Sequence, residues 1–133
     1  MISDPTVPVA SNRAPSGKCI LVVEDEFLIR FALSDGLRDA GFFVIEACSG
    51  DEAAELLGTI QLDLIISDVR MPGSLDGMGL LAEVRQKLPS VPVILVSGHL
   101  QPALAMAHGA AQFFAKPYAL EEMLQAIDRE LGK

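Results

Sequence analysis

The sequence predicts an α/β fold of five strand–helix units, a (βα)5 three-layer sandwich around a parallel sheet. Three observations predict it. Short, solidly apolar runs recur along the chain without polar alternation, which suits strands covered on both faces. Stretches with helical spacing separate these runs and are bounded by cap or stop residues. Finally, 133 residues, 50% of them hydrophobic and with a mean hydropathy of +0.38, supply one well-filled core and little material for a second.

The elements follow in order. Residues 1–17 are polar and carry Pro, Ser, Asn and Gly, so they are read as a flexible arm; no apolar stretch in them is long enough for a signal peptide. The folded domain is expected over 18–133. CILVV (19–23) is the first strand, and the helix after it spans Glu26 to Ala40, with Leu28, Phe31, Ala32 and Leu37 near one face and Gly41 at its end. FFVIEA (42–47) is the second strand; Ser49 and Glu52 form a capping box that opens a short helix closed by Gly58. LDLIIS (62–67) precedes an amphipathic helix from Asp76 to Leu88, which stops before Pro89. VPVILVS (91–97) is the fourth strand, and Pro102 starts a short Ala-rich helix ending near Gly109. AQFFA (111–115) is the fifth, and Leu120, Met123, Leu124, Ile127 and Leu131 mark one stripe of a terminal helix.

Charge and composition narrow the function. The formal net charge is −8, from 18 Asp+Glu against 10 Lys+Arg. Affinity for nucleic acid or an anionic membrane surface comes mostly from cationic side chains, so neither partner is expected. No run of about 20 apolar residues provides a membrane span, and a cytoplasmic chain is expected. Cys19 and Cys48 are too few for a disulfide framework or a metal site, and their apolar surroundings predict buried, inert thiols.

In a parallel sheet the ligand site lies outside the carboxyl ends of the strands. There the sequence places Glu24 and Asp25 after the first strand, Asp68 after the third, Ser97 at the end of the fourth, and Lys116-Pro117 after the fifth. Three close carboxylates repel one another unless a cation offsets their charge. Hard oxygen donors in a partly open site suit Mg²⁺. With Lys116 as a second positive group and a hydroxyl nearby, the set is suited to hold a phosphoryl group.

The stretches ILVVEDE (20–26), SDVRMPGSLDG (67–77), VILVSGH (93–99) and FFAKP (113–117) carry a resemblance. In their order and near spacing the sequence resembles a response-regulator receiver domain of bacterial two-component signalling, over about residues 18–131. The resemblance implies a five-stranded parallel sheet of order 2-1-3-4-5, with Cys19 and Cys48 at opposite ends of neighbouring strands. It implies that Asp68 is the phosphoacceptor. Glu24, Asp25, Asp68 and the backbone carbonyl of Arg70 would hold Mg²⁺ (or Mn²⁺). Ser97 and Lys116 would bind the phosphoryl group, the Lys116–Pro117 peptide would be cis, and Phe113 would occupy the aromatic switch position. Arg70 and His99 fall where the family tunes phosphoryl lifetime.

The implied partners are a histidine kinase or histidine phosphotransfer protein and an unidentified downstream protein, with the chain a monomer or a phosphorylation-dependent dimer. Such a domain catalyses only its own phosphorylation and dephosphorylation. Its phosphoryl group would shift a pre-existing equilibrium, read out on the face made by the fourth helix, fifth strand and fifth helix. Because nearly the whole chain matches the domain, output is expected through a partner. A relay intermediate and a hybrid-kinase receiver module share this chemistry. A haloacid-dehalogenase-like Mg²⁺ phosphatase is disfavoured, because it needs an Asp-x-Asp pair after the first strand, where Glu24-Asp25-Glu26 stands. A flavin- or dinucleotide-binding reading is poor, since the acids there would repel a cofactor phosphate. Three departures from the family pattern stand out: a loop after Asp68 that is one residue longer, at Gly73 and Ser74; a short spacing of 18 residues between Ser97 and Lys116; and Phe in place of Tyr at 113.

Overall fold

The computed structural model describes residues 17–99 and 101–132. The arm expected at the N-terminus lies, up to residue 16, outside the described residues. Strands β1 (Cys19–Val23), β2 (Phe43–Ala47), β3 (Leu64–Asp68), β4 (Val93–Ser97) and β5 (Gln112–Ala115) alternate with helices α1 (Phe27–Asp39), α2 (Gly50–Leu56), α3 (Gly77–Lys87), α4 (Pro102–Ala107) and α5 (Leu120–Leu131). Every pairing is parallel and the sheet order is β2-β1-β3-β4-β5, the architecture expected from the sequence.

The apolar runs form strands because helices bury both faces of the sheet. On one face Leu21, Val23, Ile65 and Leu95 pack with Ala53 of α2, Leu80, Leu81 and Val84 of α3, and Ala105 of α4. On the other, Ile20, Val22, Leu64, Ile66, Ile94 and Val96 pack with Leu33 and Leu37 of α1 and with Met123, Ala126 and Ile127 of α5. The register brings the carboxyl ends level: Val23 lies beside Ala47 and Ser67, Asp68 beside Val96, and Ser97 beside Ala115. Residues 24, 68, 97 and 116 therefore share one rim.

One helix differs from expectation in the face it buries. In α1 the buried residues are Leu33, Ser34 and Leu37, whereas Leu28 is 76% and Phe31 50% exposed, and Ala32 is exposed too. The reason is that residues 27–33 are apolar all round apart from Arg30. Apolar spacing cannot select a face on such a helix; tertiary contacts do. Arg30 selects it, by donating from its guanidinium to the Glu24 carbonyl at 2.8 Å and from Nε to Glu46 at 3.1 Å. In α5 the expected stripe faces the core: Met123 and Ile127 are buried with Ala126, and Leu124 and Leu131 pack against the same cluster, while Leu120 is 40% exposed and lies against Gly36 of α1. The α2 cap is half of a capping box: Ser49 Oγ accepts the Glu52 N–H at 3.0 Å, but the Glu52 carboxylate accepts from Cys48 N–H, one residue before the cap. Helix α4 has only six residues, as the short spacing between Ser97 and Lys116 requires.

The thiols lie at opposite ends of neighbouring strands, Cys19 opening β1 and Cys48 just beyond the end of β2. The expectation that both are buried is corrected, because Cys48 has left the sheet and is exposed. Cys19 is half-buried, and burial, with the Asp63 carboxylate adding to it, holds its thiol above the usual cysteine range. Thiolate is the reactive form. A thiol reagent should therefore modify native Cys48 first and Cys19 at least about tenfold more slowly. Mass-resolved labelling kinetics check this, and equal rates would contradict the protection of Cys19.

Candidate functional site

Glu24 continues the β1 ladder by one residue, its N–H donating to the Ala47 carbonyl at 3.1 Å. That placement buries its side chain, 5% exposed, under the rim. One carboxylate oxygen accepts the Glu26 N–H at 3.1 Å and the other accepts from Lys116 Nζ at 3.1 Å. Asp68, the last residue of β3, is 7% exposed and accepts from the same ammonium at 3.1 Å. Asp25 is exposed beside them, and oxygens of Glu24, Asp25 and Asp68 lie within 4.8 Å of one another.

The electrostatics follow from this geometry. Burial is the main influence on Glu24, and together with the nearby Asp68 charge it raises the carboxyl pKa to about 6, against the lowering effects of the Glu26 N–H and Lys116. Burial alone would lower the Lys116 pKa; the hydrogen bonds and charges of Asp68 and Glu24 outweigh it and hold the ammonium above its ordinary range. With three carboxylates and one ammonium, the cluster carries a formal charge of −2. Hard oxygen donors, a net charge of that size and an exposed third carboxylate fit a Mg²⁺ ion that keeps several waters.

A cavity of about 350 Å³ opens over this cluster, lined among others by Asp25, Asp68, Arg70, Ser97, His99 and Lys116. Ser97, 2% exposed at the end of β4, accepts the His99 N–H on its hydroxyl at 3.0 Å. Arg70 and His99 are themselves exposed at the mouth. Phe113 does not line this cavity. It is half-buried in β5, beside Leu95, against the core that faces α2, α3 and α4. The Lys116–Pro117 peptide is cis.

Two features escaped the sequence reading. One is a second, apolar groove of about 670 Å³ adjoining the first at Lys116, lined by Leu28, Ile29, Leu33, Pro117, Tyr118 and Leu120 among others. The solvent-facing apolar residues of α1 were the available signal for it. The other is the Asp51–Ser74 contact described below, for which the additional loop residue was the only hint.

A family profile described as the response regulator receiver domain matches residues 20–128, which takes in every residue of the rim. The chain belongs to this receiver family. The receiver domain is 35% identical over 114 residues to the DNA-binding transcriptional regulator NtrC of Klebsiella pneumoniae, covering 84% of this chain and 24% of that protein. It is 35% identical over 119 residues to the sensor kinase CckA of Brucella abortus, covering 86% of this chain and 12% of that protein. The chain thus spans about a quarter of the first relative and about an eighth of the second. Among solved structures, the receiver domain of NtrX from Brucella abortus superposes with a TM-score of 0.80 at 32% identity, covering 86% of this chain and 98% of that one. This is therefore the receiver domain of a two-component response regulator, a signalling module.

Proposed function

We propose that this receiver accepts a phosphoryl group on Asp68 from the phosphohistidine of a histidine kinase or histidine phosphotransfer protein, and that phosphorylation selects a conformation read by a protein partner. One observation carries the reading: Lys116 Nζ bridges two buried carboxylates, Glu24 and Asp68, at the rim of an open cavity that also contains Ser97. In the transfer an Asp68 carboxylate oxygen forms a bond to phosphorus as the phosphorus–nitrogen bond of the donor breaks. The bonding pair stays on the imidazole, which later takes a proton from solvent. Glu24, Asp25, Asp68 and the Arg70 backbone carbonyl are the groups that would hold Mg²⁺ or Mn²⁺, which when bound offsets charge on the phosphoryl oxygens.

The chain's own residues account for the switch. Lys116 exchanges its Asp68 contact for a phosphoryl oxygen. Ser97 can accept the His99 N–H and still donate its hydroxyl proton to a phosphoryl oxygen, because a hydroxyl does both. These contacts exist only with the loops after β4 and β5 drawn inward, so the modification favours that arrangement over the other. Phe113, beside Leu95 in the middle of β4, follows by repacking. Arg70 and His99 stand at the mouth of the cavity and govern how water reaches the acyl phosphate.

The apolar groove beside Lys116 supports docking of an apolar helical face of the phosphodonor, since it meets the acceptor cavity at that lysine. The charge of −8 supports protein rather than nucleic acid as the partner of this domain. Among the described residues no helix is long and apolar enough to cross a membrane; the proposed setting is the cytoplasm. The match to a sensor kinase supports a second reading, in which the receiver passes its phosphoryl group onward to a histidine phosphotransfer protein.

The test is intact-mass analysis after incubation with acetyl phosphate. One added phosphoryl group is expected with Mg²⁺ present and none with a chelator. No gain with fresh donor and metal would sink the reading.

A further inference from the structure

The loop after β3, residues 69–76, leaves the sheet at Asp68 and closes at Gly77, whose N–H donates to the Val69 carbonyl at 2.8 Å. Its base is tight. A Cβ on Gly77 would lie 2.2 Å from the Asp68 carbonyl oxygen, so only glycine fits there. Its tip rests on the first turn of α2. The Ser74 N–H and hydroxyl both donate to the Asp51 carboxylate, at 3.1 and 2.6 Å. Gly73 takes φ +103° beside the same carboxylate, and a Cβ on it would be 2.6 Å from Asp51 Oδ2. The Leu75 carbonyl presses on Gly50, where a Cβ would come within 2.2 Å of its oxygen.

The additional residue of this loop is thus accommodated by attachment to α2 and not by a free bulge. Between the closed base and the held tip lies Arg70, which lines the cavity over Asp68. With both ends fixed, the path of residues 70–72 has little freedom. Hydrogen bonds to an ionised acceptor are the stronger kind, and here one carboxylate takes two from a single residue.

We propose that Asp51 is a positioning residue for the phosphoryl site: by holding Ser74 against α2, it fixes the loop path that presents the Arg70 carbonyl and side chain to the Asp68 cavity. This rests on the receiver-site reading above. Groups that directly orient metal ligands contribute about 10- to 100-fold to metal affinity. Asp51 acts through several backbone bonds, so about 3- to 10-fold is expected.

The experiment titrates the full chain with Mg²⁺ alone, followed by amide chemical shifts, in wild type, Asp51→Ala, Asp51→Asn, Ser74→Ala and the Asp51→Ala/Ser74→Ala double variant, with metal-free melting recorded for each. Asp51→Ala should raise the Mg²⁺ Kd about 3- to 10-fold. Ser74→Ala should move it the same way, the double variant should be no worse than Asp51→Ala, and Asp51→Asn, which keeps an acceptor, should recover part of the affinity. A wild-type Kd in Asp51→Ala overturns the proposal even where melting falls, since the residue then serves only the stability of α2. Full additivity in the double variant overturns it as well. Should Asp51→Ala fail to fold, Asp51→Asn and Ser74→Ala carry the same comparison. A wild type without Mg²⁺-dependent shifts overturns the receiver-site reading itself, whereas a responsive wild type with an equally responsive Asp51→Ala overturns this proposal alone.

Discussion

Asp68→Asn should take up no phosphoryl group from acetyl phosphate under conditions where the wild type takes up one. The substitution is nearly isosteric, and the amide oxygen can still accept from Lys116 Nζ, which lies 3.1 Å from the Asp68 carboxylate. The fold should therefore persist, with an unchanged far-ultraviolet spectrum. What changes is chemistry: an amide oxygen is a poor nucleophile toward phosphorus, where a carboxylate is competent. The cluster charge also falls from −2 to −1. Mg²⁺ affinity should drop on the order of tenfold with it. Retention of one phosphoryl group by Asp68→Asn would place the acceptor elsewhere, and the exposed acid nearest the site, Asp25, would be the first to test.

Lys116→Ala should separate phosphorylation from switching. The variant keeps all three carboxylates, so it should still be labelled at Asp68 with Mg²⁺ present, but the amide-shift changes that accompany labelling of the wild type should be absent. A wild-type pattern of shifts would contradict the coupling assigned to Lys116. Stability should report the same residue independently. The lysine side chain is 24% exposed and pairs with carboxylates that are 7% and 8% exposed. Breaking a fully buried pair costs about 3–5 kcal/mol, so this partly exposed one should cost about 1–3 kcal/mol in metal-free protein at neutral pH.

Stability should depend on pH through both Lys116 and Glu24. The raised Lys116 pKa means its contribution is complete below the unfolded value of 10.5 and is lost only as pH rises past it, so at pH 7 the wild type retains it in full. The Glu24 carboxyl, at about 6 against 4.5, binds its proton more tightly folded than unfolded, and stability falls as pH rises through that window. Without the ammonium, Glu24 should be pushed higher still. Denaturant titrations of metal-free Lys116→Ala should accordingly fall more steeply than wild type between about pH 5 and 7, with Mg²⁺ restoring most of the difference. Parallel curves would count against the electrostatic role.

The rim was legible in the sequence because an apolar run has an end, and in a parallel sheet those ends share an edge. Glu24, Asp68, Ser97 and Lys116 needed no side-chain geometry to be placed there, only five runs and their direction. The buried face of α1 was not legible, since Phe27, Leu28, Ile29 and Phe31 compete with Leu33 for burial and the decision belongs to Arg30 and its contacts with Glu24 and Glu46. Cys48 lies one residue past the strand end that the sequence placed at Ala47, and it is exposed because the chain has already left the sheet there. The Asp51–Ser74 contact joins two polar residues 23 positions apart on different elements, and no local pattern encodes such a meeting.

The level rim has a thermodynamic consequence. Its groups come from the ends of four strands that are distant in sequence, so an unfolded chain keeps only the adjacent Glu24–Asp25 pair and not the assembled site. Whatever binds there binds only the folded population, and by mass action its affinity is converted into resistance to unfolding. A ligand at 100 times its Kd adds about 2.7 kcal/mol. Under the proposed function, the group that occupies this site thus also slows loss of the folded chain.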